Sequence, residues 1–308
     1  MSIRSKIINA SKLLYKPSYR WLYLASLGRY NHWDDKKYLE KAFECIMGKG
    51  LDLDNPRTFN EKLQWLKLYD RKPEYTMMVD KYAVRKYIAD TIGEEYLIPL
   101  LGVWDNPDDI EFDALPNQFV LKCNHNSGLG MCICKDKSKL DIDKIKAELR
   151  KGLQQDYYLT GREWPYKNVK RRIIAEKYMT TLGMDDLPDY KIHCFNGEPK
   201  FILYCSERFS KTGTKEDFLD TNWSKLPFKR PDLKCSDKIL KKPSRLNEML
   251  ELAKILSTNI PFLRCDFYEI KGNAYFGELT FFPASGLEAF EPEEWDYKLG
   301  SWLELPIK

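Results

Sequence analysis

Two acids sit inside neighbouring apolar runs, and their spacing is the clearest chemical signal in the chain. Arg264-Cys265-Asp266-Phe267-Tyr268 is followed by the turn Lys271-Gly272-Asn273, then by Ala274-Tyr275-Phe276-Gly277-Glu278-Leu279-Thr280. Alternation along a strand sends Arg264, Asp266 and Tyr268 to one face, and Glu278 and Thr280 share a face of the partner. An antiparallel hairpin therefore brings Asp266, Glu278 and Thr280 together. Hard oxygen ligands grouped this way suit magnesium, which takes one or two carboxylates and completes its shell with water and substrate phosphates. A solvent-facing edge hairpin with an incidental Arg264–Asp266 ion pair would produce the same spacing.

A second group of chemically capable residues lies upstream. Lys122 closes the apolar strand Gln118-Phe119-Val120-Leu121-Lys122-Cys123, where an unpaired ammonium is costly and a phosphate is a natural partner. The loop Asn124-His125-Asn126-Ser127-Gly128-Leu129-Gly130 offers backbone N–H groups and two glycines that permit close approach to a nucleotide. It contains neither the P-loop nor the dinucleotide fingerprint. His125 reads as a loop histidine touching solvent or a substrate hydroxyl, since no catalytic triad assembles around it. Lys191 and His193 share a face of the strand Asp189–Phe195, which makes Lys191 a second phosphate clamp if that face lines the same cleft. Arg162 and Trp164, followed by Lys167, Lys170, Arg171 and Arg172, offer a basic, aromatic surface for an anionic sugar; a solvated charged face explains them nearly as well.

These residues need a scaffold. Up to about residue 71 the pattern is helical, with Thr58 or Asn60 able to cap a helix carrying Leu63, Leu66 and Lys67. One helix is expected from near Tyr75 through Asp80, Lys81, Val84, Arg85 and Ile88 to Gly93, and a short strand within residues 96–103. Strands are expected at 118–123 and 131–134, forming a hairpin with a flexible tip. A helix over 141–158 and strands at 172–179, 189–195, 199–205, 263–270 and 273–280 follow, with a helix over 244–256. Strands dominate the second half without βαβ alternation, so the class is α+β rather than a doubly wound parallel sheet.

The 308 residues suffice for a large core and several units, expected as a helical region 1–75, a connecting α/β segment 76–117, and two units over 118–179 and 180–308. With 50 Lys and Arg against 46 Asp and Glu, the balance excludes general nucleic-acid binding, so phosphate affinity must come from local clusters. The eight cysteines show no metal or disulfide spacing and read as buried free thiols. No long apolar span or signal peptide is present, which points to a cytoplasmic protein. One qualification is the basic amphipathic opening, in which Ile7, Ile8, Leu13, Leu14, Trp21, Leu22 and Leu24 mix with Arg4, Lys6, Lys12, Lys16 and Arg20. It is able to lie on the inner face of an anionic membrane, although packing of these helices on their own domain is the simpler outcome.

Five separated stretches resemble the TupA-like ATP-grasp family. They are Asn55-Pro56-Arg57-Thr58-Phe59-Asn60-Glu61-Lys62, Asp80-Lys81-Tyr82-Ala83-Val84-Arg85, Phe119-Val120-Leu121-Lys122-Cys123-Asn124-His125, Gly161-Arg162-Glu163-Trp164-Pro165-Tyr166 and Asp189-Tyr190-Lys191. The ending resembles the superfamily pattern of an acid, then Glu-x-Asn and Pro-x-Gly. It departs from it at Thr280, where asparagine is expected, and by one extra residue before Gly286. The resemblance implies an ATP-grasp fold, in which two α+β subdomains, 118–179 as lid and 180–308 as catalytic unit, grip ATP. It further implies that Lys122 and Lys191 hold ATP phosphates under the loop of Ser127 and Gly128, and that Glu176, Lys177 and Tyr178 meet the adenine. Asp266, Glu278 and Thr280 would bind Mg2+, and Arg264 would steady an acyl phosphate.

By the same resemblance the expected activity is ATP-dependent joining of a carboxylate to an amine. The carboxylate would be a uronic acid of a bacterial surface polysaccharide or its nucleotide-sugar precursor, with Arg162, Trp164 and His125 contacting substrate. A sugar kinase on the same fold is the first alternative. A glycosyltransferase or sugar-binding module of capsule biosynthesis is the second, and is disfavoured because the Asp-x-Asp pairs Asp52/Asp54 and Asp141/Asp143 sit at helix starts.

Overall fold

Residues 16–180, 187–208, 210 and 213–307 are described by the computed structural model. The amphipathic opening falls mostly outside the described residues, and its remainder forms helix α1 (Pro17–Ser26). Pro17 occupies the first turn, where its missing N–H costs nothing. Helix α2 (Asp35–Met47) is capped by Asp34 and ends at left-handed Gly48. Trp21 is buried between these helices, stacked on Tyr30 at 5.1 Å and tilted against Tyr38 at 5.4 Å, so it faces protein rather than a lipid surface. Among the described residues no helix is long and apolar enough to cross a membrane.

Helix α3 (Phe59–Tyr69) starts at a reciprocal capping box in which Thr58 Oγ1 accepts the Glu61 N–H at 3.2 Å and Glu61 Oε2 accepts the Thr58 N–H at 2.9 Å. The single helix expected from Tyr75 to Gly93 is two, α4 (Glu74–Val79) and α5 (Val84–Thr91). The break is at Asp80, whose carboxylate accepts the N–H groups of Tyr82 and Ala83 and so competes with helix continuation. Lys81 is thereby displaced from a helical surface into a turn.

The strands β1 (Leu100–Trp104), β2 (Phe119–Cys123) and β3 (Met131–Cys134) precede helices α6 (Ile142–Gln154) and α7 (Tyr158–Gly161). Then come β4 (Ile173–Lys177), β5 (Asp189–Phe195), β6 (Glu198–Ser206), β7 (Lys215–Asp220), helix α8 (Leu246–Leu256), β8 (Phe262–Ile270), β9 (Asn273–Thr280) and helix α9 (Glu294–Trp302). They form a four-stranded sheet of order β1-β4-β2-β3 and a five-stranded sheet of order β7-β6-β5-β8-β9. Every pairing between these strands is antiparallel, as the α+β expectation requires. Strand β1 pairs with β4, so the segment 76–117 contributes an edge to the first sheet as well as a connection. Strand β7 was not anticipated; its polar opening Lys215-Glu216-Asp217 masks the apolar Phe218 and Leu219.

The five-stranded sheet is two-faced. Helix α8 covers one side, where the Cys194 and Cys265 thiols lie 3.7 and 3.9 Å from the Ala253 carbonyl. Alternation then forces Lys191, His193, Arg264 and Asp266 to the other side. In the β8/β9 ladder Asp266 opposes Glu278 and Phe267 opposes Phe276, leaving Gly277 as an extra, bulged residue. Simple alternation would put Phe276 and Glu278 on one face. The bulge separates them: Phe276 joins the core beside Phe267 and Glu278 stays opposite Asp266. A Cβ on Gly277 would lie 3.1 Å from the Asp266 carbonyl oxygen, so glycine suits the bulge.

Candidate active site

Arg264 is the hub of the polar face. Its Nε and Nη2 donate to Asp266 Oδ1 and Oδ2 at 2.6 and 2.8 Å, and Nη2 also donates to Glu278 Oε1 at 3.0 Å. Burial opposes the guanidinium charge, but Asp266 and Glu278 outweigh it and keep Arg264 firmly protonated. Asp266, only 1% exposed, also receives the Lys191 ammonium. Burial acts against the charge of Lys191, and Asp266 more than restores it. Behind them Asp189, also buried, pairs with Arg208 and lies 3.8 Å from Lys191. The hairpin thus brings Asp266 and Glu278 together, and although β9 is the edge strand of its sheet, the burial of Asp266 departs from a solvent-facing hairpin.

Glu278 is the accessible member, its side chain 36% exposed. Burial would raise its pKa, yet Lys81, Arg264, Lys191 and Lys122 together hold it at about 2. Lys81 leads these cations. Its Nζ lies 3.7 Å from Glu278 Oε2 and donates to the Asn126 carbonyl at 2.8 Å, so one lysine ties the β2–β3 loop to the β8–β9 hairpin. No sequence argument gave Lys81 a role. Its signal was a lysine directly after a helix-capping aspartate, hidden because apolar periodicity runs straight through Asp80.

Lys122 points to the same region but is paired with Glu176 at 2.6 Å, and Glu176 is also 3.5 Å from Arg85. Glu176 is thus the counter-ion of two cations here. The neighbouring Lys177 N–H, expected to face the adenine, donates to the Pro99 carbonyl at 2.9 Å, and the Lys177 side chain is exposed. Tyr178 follows the strand end, half-buried.

The turn after β9 is fixed by the polar face of α3. Asn60 bonds Glu288 through both its amide atoms, at 2.8 and 2.9 Å, and Gln64 Nε2 donates to the Ser285 and Gly286 carbonyls at 2.9 and 2.6 Å. Lys67, 0% exposed, donates to the Gly161 and Ser285 carbonyls at 2.7 and 2.8 Å and to Gln64 Oε1 at 3.0 Å. These residues recur at i, i+4 and i+7, one face of the helix. The turn Pro283–Gly286 carries left-handed Ala284 and Ser285, a strained path that these bonds hold in place. Ser285 Oγ in turn donates to the buried Glu163 carboxylate. Burial raises the Glu163 pKa, against the pull of Lys67, Ser285 and Arg264. Burial also raises the pKa values of Tyr157 and Tyr166, with Glu163, Glu278 and Arg264 as charged neighbours, so their hydroxyls stay protonated.

Several expected contacts are corrected. Arg162 is not a surface residue: it is 2% exposed, donates to the Tyr30 and Asn31 carbonyls at 2.9 and 3.2 Å, and lies over the Tyr38 ring at 4.4 Å. It anchors the N-terminal helices. Trp164 packs half-buried beside Tyr75 at 6.0 Å rather than presenting a sugar platform. His125 is 1% exposed, its Nε2 3.1 Å from the Gln155 carbonyl, and burial lowers its pKa. It braces the loop instead of touching solvent. His193 stacks on Phe201 at 4.1 Å, and burial holds it neutral. Of the two loop glycines, Gly128 is open on all sides, whereas a Cβ on Gly130 would lie 2.9 Å from both Cys123 Sγ and Gly152 Cα. Ser127 and Gly128 are thus the exposed tip and Gly130 a packing position. Asp141 caps α6, and Asp52 accepts the N–H groups of Asp54 and Asn55 in a turn; among the described residues neither Asp-x-Asp pair belongs to a group of three or more metal-ligating side chains.

The donor set suits a magnesium ion completed by phosphates rather than a closed protein cage. Asp266 and Glu278 are directly opposed, and among the described residues no third His, Cys or acid joins them in a metal-holding group. Two carboxylates are what Mg2+ needs when substrate oxygens and water supply the rest. Thr280 stands opposite Arg264 on the same ladder.

No curated protein matches the chain. Among solved structures it is similar to the D-alanine–D-alanine ligase of Helicobacter pylori, with 17% identity over 81% of this chain and 70% of that one and a TM-score of 0.42. It is also similar to the D-alanine–D-alanine ligase of Bacillus anthracis complexed with ATP, with 16% identity, 67% and 54% coverage and a TM-score of 0.39. For the ATP-grasp ligase PsnB complexed with minimal precursor the values are 11% identity, 72% and 60% coverage and 0.39. The chain spans just over half the length of these last two. Residues 61–304, which hold both sheets and every member of the Arg264 network, match the family described as TupA-like ATPgrasp, and the chain belongs to the TupA-like ATP-grasp family.

Proposed function

We propose that the protein is an ATP-dependent carboxylate–amine ligase. The observation carrying this is the Arg264 network: a half-buried arginine bridging two opposed carboxylates, with Lys191 and Lys81 on the same carboxylates and Lys122 close by. In this reading the segment 118–179 is the lid and 180–308 the catalytic unit, flanked by 1–75 and 76–117. The lysines hold the phosphates of ATP, and the tip residues Ser127 and Gly128 cover them. Asp266 and Glu278, with Thr280 beside them, hold Mg2+, which when bound offsets charge on the transferring phosphoryl group.

A substrate carboxylate attacks the γ-phosphate, ADP leaves the phosphoryl group, and an acyl phosphate results. Arg264 stays charged throughout and stabilises the negative charge that accumulates on the acyl oxygens. An amine then attacks the acyl carbon, phosphate departs, and an amide remains. Tyr157 and Tyr166, whose hydroxyls stay protonated, have Glu278 and Arg264 among their charged neighbours. The carboxylate substrate we assign is a uronic acid of a surface polysaccharide or of its nucleotide-sugar precursor. Since Arg162 is interior and Trp164 packs against Tyr75, its anionic group falls to Arg264 and the lysines.

The test is magnesium-dependent ATP binding by calorimetry for wild type and Glu278→Gln, followed by phosphate release with uronic acids and amines. Release that requires both substrates supports the ligase. ADP formation without free phosphate would make the enzyme a kinase, and absence of ATP binding by the wild type would overturn the proposal.

A further inference from the structure

An amine in neutral solution is an ammonium ion, which has no lone pair with which to attack an acyl carbon. The ligase reading therefore needs a proton acceptor beside Arg264. Most groups there are unsuited. Glu278, held at about 2, is too weak a base, and Asp266 is occupied by Arg264 and Lys191. Tyr157 and Tyr166 keep their protons because burial raises both pKa values. His193 is 2% exposed and stacked on Phe201.

Glu163 differs from all of these. It is 6% exposed, and its Oε1 accepts the Ser285 hydroxyl. Its Oε2 takes no hydrogen bond from a described residue and is not fully enclosed. Among the described residues no lysine or arginine forms an ion pair with Glu163, whereas Asp266, Glu278, Glu176 and Asp189 each hold one. Lys67, the cation whose charge acts on it most strongly, directs its own protons to Gln64 Oε1 and to the Gly161 and Ser285 carbonyls. A buried carboxylate with no cation in contact favours a proton. Burial accordingly raises the Glu163 pKa, Glu278 adds to the rise, and Lys67, Ser285 and Arg264 oppose it.

Packing puts this carboxylate at the end of β9, beside the Arg264 network. Trp164, the next residue, has its ring 6.0 Å from that of Tyr75, and Tyr75 lies 4.2 Å from Phe281. Phe281 directly follows Thr280, which opposes Arg264, and Ser285 lies on the turn beyond. Arg264 and Glu278 are charged neighbours of Glu163. The half-buried Tyr157 and Tyr166, their ring centroids 4.7 Å apart, share those two neighbours and have Glu163 as a third. One border of the network is thus two neutral hydroxyls and a carboxylate without a contacting cation, which suits an arriving ammonium; the opposite border, with Lys81 and Lys122, does not.

We propose that Glu163 is the base of the second half-reaction, taking a proton from the ammonium of the amine substrate. The proposal rests on the ligase reading and deepens it. Glu163 takes one proton, and the lone pair thereby freed forms the N–C bond to the acyl carbon. The acyl C–O bond breaks, its electron pair leaving with phosphate, which takes the second proton from nitrogen. Glu163 then returns its proton to water. Burial makes the carboxylate the better proton acceptor, and the Ser285 hydroxyl limits how far its ionised form is disfavoured.

Two small nucleophiles separate a base from a scaffold: hydroxylamine is already unprotonated at neutral pH, whereas ammonia is almost entirely ammonium. With magnesium, ATP and glucuronate or galacturonate, the full chain is expected to form hydroxamate from the first and primary amide from the second. Glu163→Gln still accepts the Ser285 hydroxyl but takes no proton. Its amide formation should fall by about 100-fold or more, and its hydroxamate formation by no more than severalfold. Raising the pH should restore the variant's amide formation by about tenfold per unit until ammonia is unprotonated. Ser285→Ala removes a bond that favours the ionised carboxylate, so the acid limb of amide formation should move to higher pH. Equal losses of hydroxamate and amide in Glu163→Gln, or a wild type that makes hydroxamate but no amide, overturn the base. Should Glu163→Gln fail to melt cooperatively, Ser285→Ala decides, and an unmoved limb overturns the proposal. No hydroxamate from either uronic acid, in a wild type that binds ATP by calorimetry, defeats the ligase reading itself, and the base falls with it.

Discussion

Lys81→Met is expected to move the acid limb of magnesium-dependent ATP binding upward and to weaken binding at neutral pH. The ammonium stands 3.7 Å from Glu278 Oε2. At that separation a unit pair is worth ~1 kcal/mol in water and ~4 kcal/mol at an effective dielectric of ~20. Because about a third of the Glu278 side chain is exposed, solvent screening keeps the value near the lower end, ~1–2 kcal/mol. One pH unit corresponds to ~1.4 kcal/mol, so the Glu278 pKa, now about 2, rises by roughly one.

A carboxylate with a depressed folded pKa adds stability that is present above its unfolded value of 4.5 and is lost as pH falls towards about 2. The variant loses that stability at higher pH within the same window. At pH 7 Glu278 remains ionised either way, so weaker binding there reports the missing ammonium and the loosened Asn126 carbonyl rather than protonation. The assay is calorimetric ATP titration from about pH 7 down to about pH 2, with thermal melting across the same range, so that the window between 4.5 and about 2 is covered. An acid limb that stays in place together with unchanged affinity at pH 7 would refute the assignment of Lys81 to the site.

Arg264→Lys retains a charge but cannot engage Asp266 with two nitrogens while reaching Glu278, so turnover should fall by about 100-fold or more with ATP affinity less affected, read as phosphate release against calorimetry. Lys67→Met strands the Gly161 carbonyl and should cost about 1–3 kcal/mol in denaturant unfolding; an unchanged midpoint would show that the turn holds itself. Gly128→Ala meets only the strain of its φ of +84°, costing about 1 kcal/mol, whereas Gly130→Ala also collides with Cys123 and Gly152 and should destabilise severalfold more in the same assay. Arg162→Ala should lower the melting temperature without altering the KM for either substrate, since its contacts run to Tyr30, Asn31 and Tyr38.

The hairpin carrying Asp266 and Glu278 was legible because a short turn fixes register and period-2 alternation fixes faces. The bulge at Gly277 was not, although it sorts Phe276 from Glu278. What escaped the sequence has a common physical form: a polar residue whose meaning depends on a distant partner. Arg162 looks like part of a charged surface until Tyr30, Asn31 and Asp35 from the N-terminal helices close around it. His125 looks accessible until the end of α6 covers it. Asn60, Gln64 and Lys67 sit where a helix normally meets solvent, and only the turn after β9 explains their burial. Lys81 was obscured differently, by a helical period that continues across Asp80 while the backbone does not.

The pairing pattern also bears on why magnesium and ATP should arrive together. Lys122 is paired with Glu176, Lys191 with Asp266, and Lys81 with Glu278. If phosphate draws Lys191 and Lys81 away, Asp266 and Glu278 are left sharing the single charge of Arg264, and two carboxylates on one guanidinium in a largely buried setting are under-compensated, which is costly. In the proposed site, phosphate binding would therefore be an exchange of partners rather than the filling of an empty cationic pocket. Asp266 and Glu278 would hold a divalent cation delivered with the nucleotide, whose charge would offset what they lose as Lys191 and Lys81 turn to phosphate, whereas Glu176 would keep Arg85 to itself when Lys122 leaves. From this follows an asymmetry that calorimetry can read. Chelating magnesium should weaken ATP binding in the wild type by about tenfold or more, but considerably less in Glu278→Gln, where one of the carboxylates needing a new partner is already neutral. Equal losses in the two proteins would mean that the carboxylates are not what the metal compensates.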